Sequence, residues 1–362
     1  KAFELANRLL DILPQGGHKE EQNSAFTNVF FANSGSEAVE SALKIAMAYH
    51  YAKGEERRTR IIGRARGFHG SGFAGTSVGG VAANRKQFGN MLPEVDHLPH
   101  TLNIGEAAFS KGQPIWGSHL ADERENIIQL HGPNTIAAVI VEPMSGAGGV
   151  ILPPQGYLEK LRDICTRHHI LLIFDEVITA FGRTGAATAS ELLGIQPDLI
   201  CLAKGLTNGT VPMGAVAISG KIYKALMTGP ENTIEFLHGY TYSGHPVASA
   251  AGLAVLGIAK KEGLFERAAE LAPYFEEAVH SLKGVPNVID IRNFGLAAGV
   301  ELEPRGGIAG ERGFDVFRKC FEQGILSRVT GDILALAPAM IAEKTHIDQL
   351  VETLGRVIRG TN

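Results

Sequence analysis

Three charged residues in this 362-residue sequence stand where charge is expensive. Lys204 follows the apolar run Leu199 to Ala203, Asp175 follows Ile170 to Phe174, and Glu142 follows Ile136 to Val141. A lysine directly after an apolar strand is costly to desolvate unless paired or neutralised, which makes Lys204 a candidate covalent amine. A carboxylate fixed at the end of such a strand can hold a pyridinium nitrogen in its protonated form, which makes Asp175 a candidate partner for an electron-withdrawing ring. A further segment, Ser34-Gly35-Ser36-Glu37, carries capping-box spacing ahead of a helical run and leaves free backbone N–H groups at the positive end of a helix dipole, where an anion binds. Taken singly, each feature has a plainer reading: a solvated loop charge for the three ionic residues, a well-capped helix without a ligand for the serine-glycine turn. Taken together, a phosphate cradle, a ring-nitrogen carboxylate and an amine form the set that a pyridoxal phosphate (PLP) site requires.

The elements that must position these groups follow from hydrophobic patterning. Short runs rich in Ile, Val and Leu alternate with amphipathic segments, the signature of a largely parallel sheet covered by helices, an α/β architecture. Strands are predicted at 28–32, 136–141, 170–174 and 199–203, and helices at 38–49, 156–168 and 247–261; the opening KAFELANRLLDILP reads as an amphipathic helix. In an open α/β sheet, ligands sit beyond the carboxyl ends of the strands, so Glu142, Asp175 and Lys204 could converge despite their separation in sequence. Beyond Gly263, helices at 264–282, 313–323 and 344–359 surround short strands at 288–292, 299–302 and 334–336, which reads as a smaller α+β domain. The division is expected at residues 1–255 for the large domain and 256–362 for the small C-terminal domain.

Composition removes several classes of partner. A formal net charge of -4 gives no basic field for nucleic acid or an anionic membrane surface. No apolar run approaches bilayer length. Cys165, Cys201 and Cys320 lie far apart with no disulfide or zinc spacing, which fits a reducing cytoplasm. The sequence opens at Lys1 without an initiator Met, and the expectation is that it starts inside a longer gene product. Two motifs are decoys: Gly70-x-Gly72-x-x-Gly75 spells a dinucleotide fingerprint and Gly75-x-Ser77-x-Gly79 a nucleophile elbow, but both are expected to lack the helix that their chemistry needs. His168-His169 is expected to interact with a helix C-terminus and not with a metal.

The runs NSGSEA (33–38), FHG (68–70), VIVEPMSGAGGV (139–150), ILLIFDEVITAFGRTG (170–185), PDLICLAKGLTNG (197–209) and HGYTYSGHPVASAAGL (238–253) cover most of the chain. In this order they resemble class III aminotransferases, PLP enzymes of fold type I. The wording around GRARGFHG, NRKQFG, DHLPHT and NVIDIRNFGLA is most similar to the omega-amino acid:pyruvate branch, the omega-transaminases. The resemblance implies that Lys204 carries the cofactor as a Schiff base and that Asp175 meets its ring nitrogen. It implies Gly35 and Ser36 on the phosphate, Phe68 and Val177 on the two ring faces, His69 beside the cofactor, and Glu142 near the ring substituents and substrate. Position 68 is often Tyr in this branch, so Phe68 keeps the stacking surface without the hydroxyl. Arg328 matches the arginine that receives a substrate carboxylate, and Thr241 the residue that reaches the phosphate of the neighbouring subunit in a homodimer. The implied activity is ping-pong transfer of an amino group from an omega-amino acid or primary amine to pyruvate; the lysine and aspartate alone are equally compatible with an aminomutase, racemase or decarboxylase.

Overall fold

The computed structural model describes residues 1–15, 25–88, 91–228 and 236–361. Seven strands form one sheet: β1 (Phe26–Ala32), β2 (Arg60–Arg64), β3 (Val95–Leu98), β4 (Ile136–Val141), β5 (Leu171–Asp175), β6 (Leu199–Leu202) and β7 (Gly214–Ser219), in the order β1-β7-β6-β5-β4-β2-β3. The run from β6 to β3 is parallel, whereas β7 lies antiparallel to both β6 and β1. Every residue of β4, β5, β6 and β7 is buried, because helices cover both faces and no position on these strands meets water.

A second sheet consists of β8 (Val288–Phe294), β9 (Ala297–Leu302), β10 (Arg328–Thr330) and β11 (Ile333–Leu336), in the antiparallel order β10-β11-β9-β8. Helices Leu264–His280, Glu311–Glu322 and Lys344–Arg359 lay their apolar stripes on it, with Phe275, Val316 and Leu354 in a core separate from that of the large sheet. The α/β class, the helix at 156–168 (observed as Tyr157–Arg167) and the last helix match the sequence expectation.

Several details differ. Strand β5 extends to include Asp175, while β6 stops at Leu202, so Ala203 intervenes before Lys204. Helix Gly35–Ala52 begins three residues earlier than expected, directly at the serine-glycine turn. The expectation that Thr76-Ser77-Val78-Gly79-Gly80 is not helical is overturned in its first part: residues Phe73–Val78 form a helix, which stops at Gly79. Its sequence has little helical propensity, but the Glu40 carboxylate accepts from the Ala74 and Gly75 N–H groups (2.9 and 3.1 Å) and stabilises its first turn. Gly75 lies inside this six-residue helix, so neither decoy motif forms the loop that its chemistry requires. His168 caps Tyr157–Arg167 and contacts Glu125 at 3.1 Å. Among the described residues there is no cluster that could hold a metal, and no helix long and apolar enough to cross a membrane.

Candidate active site

The carboxyl ends of β4, β5 and β6 open onto one pocket of about 130 Å³. Asp175, 5% exposed, occupies its floor. Its Oδ1 accepts from the Val177 N–H (3.1 Å), which orients the carboxylate and turns the Val177 side chain into the pocket. Its Oδ2 lies 2.8 Å from Nδ1 of buried His69, so a proton on that nitrogen joins ring and carboxylate. Lys204 also lines it, on a left-handed residue (φ 46°) that opens the turn Lys204–Thr207.

The third wall is the start of helix Gly35–Ala52. Ser34 Oγ accepts from the Glu37 N–H (3.2 Å). The Glu37 carboxylate reaches back to Asn33, to its N–H at 2.7 Å and its side-chain amide at 2.8 Å, one residue earlier than the ideal capping box. Gly35 and Ser36 are left at the first helical positions with N–H groups that have no helical acceptor. The loop carrying Phe68 and His69 folds against this turn: Ser36 Oγ accepts from the Ser71 N–H at 3.1 Å. Gly70 adopts φ 101°, where a Cβ would come within 2.7 Å of the Ser36 Cα. Only glycine permits that approach.

Glu142 closes the site from the end of β4, with Oε1 accepting from the Phe68 N–H (3.0 Å). Burial pushes its carboxyl above the ordinary glutamate range and the Asp175 charge adds to this, while His69 and Arg64 oppose it. The Lys204 side chain is open to solvent at the pocket mouth, yet desolvation by its surroundings pushes the ammonium below the ordinary lysine range. Asp175 and Glu142 counter that shift, and the Arg328 charge reinforces it. The result is a lysine whose neutral amine is available at lower pH than usual, facing a buried carboxylate.

Eight of the ten residues expected at the site therefore line one pocket: Gly35, Ser36, Phe68, His69, Glu142, Asp175, Val177 and Lys204. Ile178 also lines it and was not anticipated; its only signal is its place next to Val177 in the same turn. Two expected residues are not in the lining. Arg328 begins β10 on the second sheet, exposed and without an ion pair among the described residues, with its field reaching Lys204. Thr241 lies in an exposed turn before helix Pro246–Glu262. The second sheet is fastened to the loop after Glu142 at two carbonyls: Thr330 Oγ1 donates to Ala147 O (3.2 Å) and Arg292 Nε to Gly149 O (2.9 Å).

This arrangement fits PLP in its donor set: unpaired helix N–H groups for a phosphate, a fixed carboxylate for a ring nitrogen, and a depressed lysine for an aldehyde. Residues 1–358 match the family described as aminotransferase class-III. The chain is a class III aminotransferase. It is 56% identical over 357 residues to an omega-aminotransferase of Caulobacter vibrioides, covering 99% of this chain and 79% of that relative. It is 48% identical over 360 residues to an omega-amino acid–pyruvate aminotransferase of Pseudomonas putida, covering 99% and 78%. The solved omega transaminase of Pseudomonas jessenii in complex with PMP superposes with a TM-score of 0.91 at 34% identity, covering 99% of this chain and 79% of that one. An amine transaminase of an uncultivated Pseudomonas species in its PLP-bound form superposes with a TM-score of 0.89 at 34% identity, covering 100% and 81%. The aminotransferase is thus an α/β, fold type I, PLP-dependent enzyme.

Proposed function

We propose that this aminotransferase moves an amino group from an omega-amino acid or primary amine to pyruvate, with both substrates using the same pocket in turn. The observation that carries this reading is the pairing of Lys204, depressed and facing Asp175, with a cationic Arg328 at the edge of the second sheet. When bound, PLP supplies an aldehyde that takes up amines and a ring that accepts the electron pair released when a C–H bond breaks. Gly35 and Ser36 would hold its phosphate, Phe68 and Val177 would flank its ring, Asp175 would meet its ring nitrogen and Lys204 would anchor it covalently. His69 acts through Asp175, fixing the carboxylate by the 2.8 Å contact. Lys204 Nζ takes the proton from the amine-bearing carbon of the donor, and returns one to the keto carbon of the acceptor. Arg328 receives the carboxylate of pyruvate or of an omega-amino acid; when the donor has no carboxylate, Glu142 compensates the arginine instead.

Arg328→Ala tests the substrate assignment. A charge-assisted hydrogen bond contributes roughly 1.5 to 3 kcal/mol, and 1.36 kcal/mol is about tenfold in rate. Efficiency with pyruvate is expected to fall at least about tenfold, while a carboxylate-free amine loses much less. Single-turnover measurement of each half-reaction reads this directly; wild-type enzyme that forms no alanine from pyruvate overturns the proposed activity, and equal losses in Arg328→Ala overturn the role of Arg328.

The exposed turn at Thr241 supports a homodimer in which Thr241 completes the phosphate site of the opposite subunit. Sedimentation of the holoenzyme is expected to give a dimer, and a fully active monomer contradicts it. Two separate cores support a division of the chain into a large and a small domain, with the break falling after Leu256 of the first core and before Ala268 of the second, later than the expected 255/256, and three buried free thiols support a reducing, cytoplasmic setting.

A further inference from the structure

Arg64, the last residue of β2, is a buried charge with no acid bonded to it. It is 1% exposed. Its Nη2 donates to the Glu142 backbone O (2.7 Å) and to Ser145 Oγ (2.8 Å), and its guanidinium lies over the Tyr157 ring at 5.9 Å from the centroid. Nη1 has no hydrogen-bond partner, and no carboxylate lies within ion-pair distance, among the described residues. An arginine stays protonated under such conditions, and removing its charge from water is unfavourable unless an opposite charge lies nearby. The acid it influences is Glu142, whose backbone it grips.

We propose that Arg64 is a positioning residue for Glu142, its buried positive charge matching the carboxylate that Glu142 presents to the substrate and so setting which substrates the pocket accepts. This rests on the substrate reading given above. The groups facing Glu142 are His69 from the loop after β2, Asp175 from the end of β5, Lys204 from the turn after β6, and Arg64 from behind. Of these, Arg64 is the one cation hydrogen-bonded to the Glu142 backbone itself, so the residue that fixes the turn aiming the side chain also adds, beside His69, to the positive field that opposes the effect of burial. With Glu142 ionised, Arg328 is compensated when the donor lacks a carboxylate. With Glu142 neutral, Arg328 faces an apolar amine unpaired.

The test uses holoenzyme and two substitutions. Arg64→Gln keeps amide donors but removes the charge, whereas Arg64→Lys keeps the charge. Half-reactions are followed by stopped-flow absorbance from pH 6 to 10, with 1-phenylethylamine as the carboxylate-free donor and pyruvate as the acceptor. In Arg64→Gln, Glu142 titrates higher, so the acid limb of the amine half-reaction is expected to move up by about one pH unit. The amine concentration at half saturation rises about tenfold below that limb, and pyruvate changes by less than about threefold. Arg64→Lys returns the limb to its wild-type position. An unmoved limb in cofactor-loaded Arg64→Gln, or equal losses with amine and pyruvate, overturns the proposal. Glu142→Gln serves as the second variant: it is expected to remove the same limb, and a limb that survives it overturns the proposal whether or not the Arg64 variants fold. Wild-type enzyme inactive with both substrates would instead refute the substrate reading.

Discussion

Lys204→Ala is expected to abolish transamination, by at least about a thousandfold, with the fold intact. The size follows from two roles lost together: proton transfer by a positioned group contributes about 10² to 10⁴, and the covalent anchor is removed as well. Structural damage is expected to be small because the side chain is open to the pocket and makes no hydrogen bond or ion pair among the described residues. Its left-handed backbone meets the same Cβ constraint in either residue. Single-turnover rates together with far-ultraviolet circular dichroism and a melting curve check both halves of the expectation. A rate within tenfold of wild type removes Lys204 from the chemistry, and a collapsed melting curve would trace the loss to folding.

Asp175→Asn is expected to retain cofactor and lose most turnover, roughly 10- to 150-fold for the 1.5 to 3 kcal/mol attached to a hydrogen bond with a charged group. The reason lies in the contacts of the carboxylate. In wild type Asp175 Oδ1 accepts from the Val177 N–H and Oδ2 meets His69 Nδ1 at 2.8 Å, so the single oxygen of an amide satisfies only one of these donors and an NH₂ takes the place of the other acceptor beside the ring nitrogen. A donor in that place favours the unprotonated ring, the opposite of what a carboxylate does. Cofactor absorbance after gel filtration and the steady-state kcat measure the two effects separately; an unchanged kcat shows that the carboxylate does not tune the ring.

How much of this was readable beforehand depended on how local each cause is. Strands β4, β5 and β6 were legible because central parallel strands are continuous apolar runs, and the charges at their ends stand out against that background. Strand β7, with the apolar run Gly214–Ser219, was missed because six such residues fit helix and strand equally until the pairing with β1 and β6 decides. Helix Phe73–Val78 was missed because the carboxylate that caps it, Glu40, lies more than thirty residues upstream. The same holds within the site. Lys204 and Asp175 could be singled out one at a time, but the bond between His69 and Asp175 spans 106 residues and the grip of Arg64 on Glu142 spans 78. No spacing rule reaches that far, and only the sheet order brings β2 beside β4 and β4 beside β5.

The two carbonyl attachments between the loop after Glu142 and the second sheet have a mechanical consequence. Ala147 is held by Thr330, two residues from Arg328 on the same short strand, and Gly149 by Arg292 on β8. Any rocking of the second sheet therefore pulls on the segment that emerges from Glu142. Arg328 and the 147–149 segment form one mechanical unit through these bonds, whereas Glu142 is held to β2 by Arg64 and Lys204 stays with the turn after β6. A displacement of the second sheet would therefore act like a sliding jaw against a fixed one, changing the spacing between Arg328 and the anchored Glu142, so a bulkier donor would be admitted by widening the gap between the two charges.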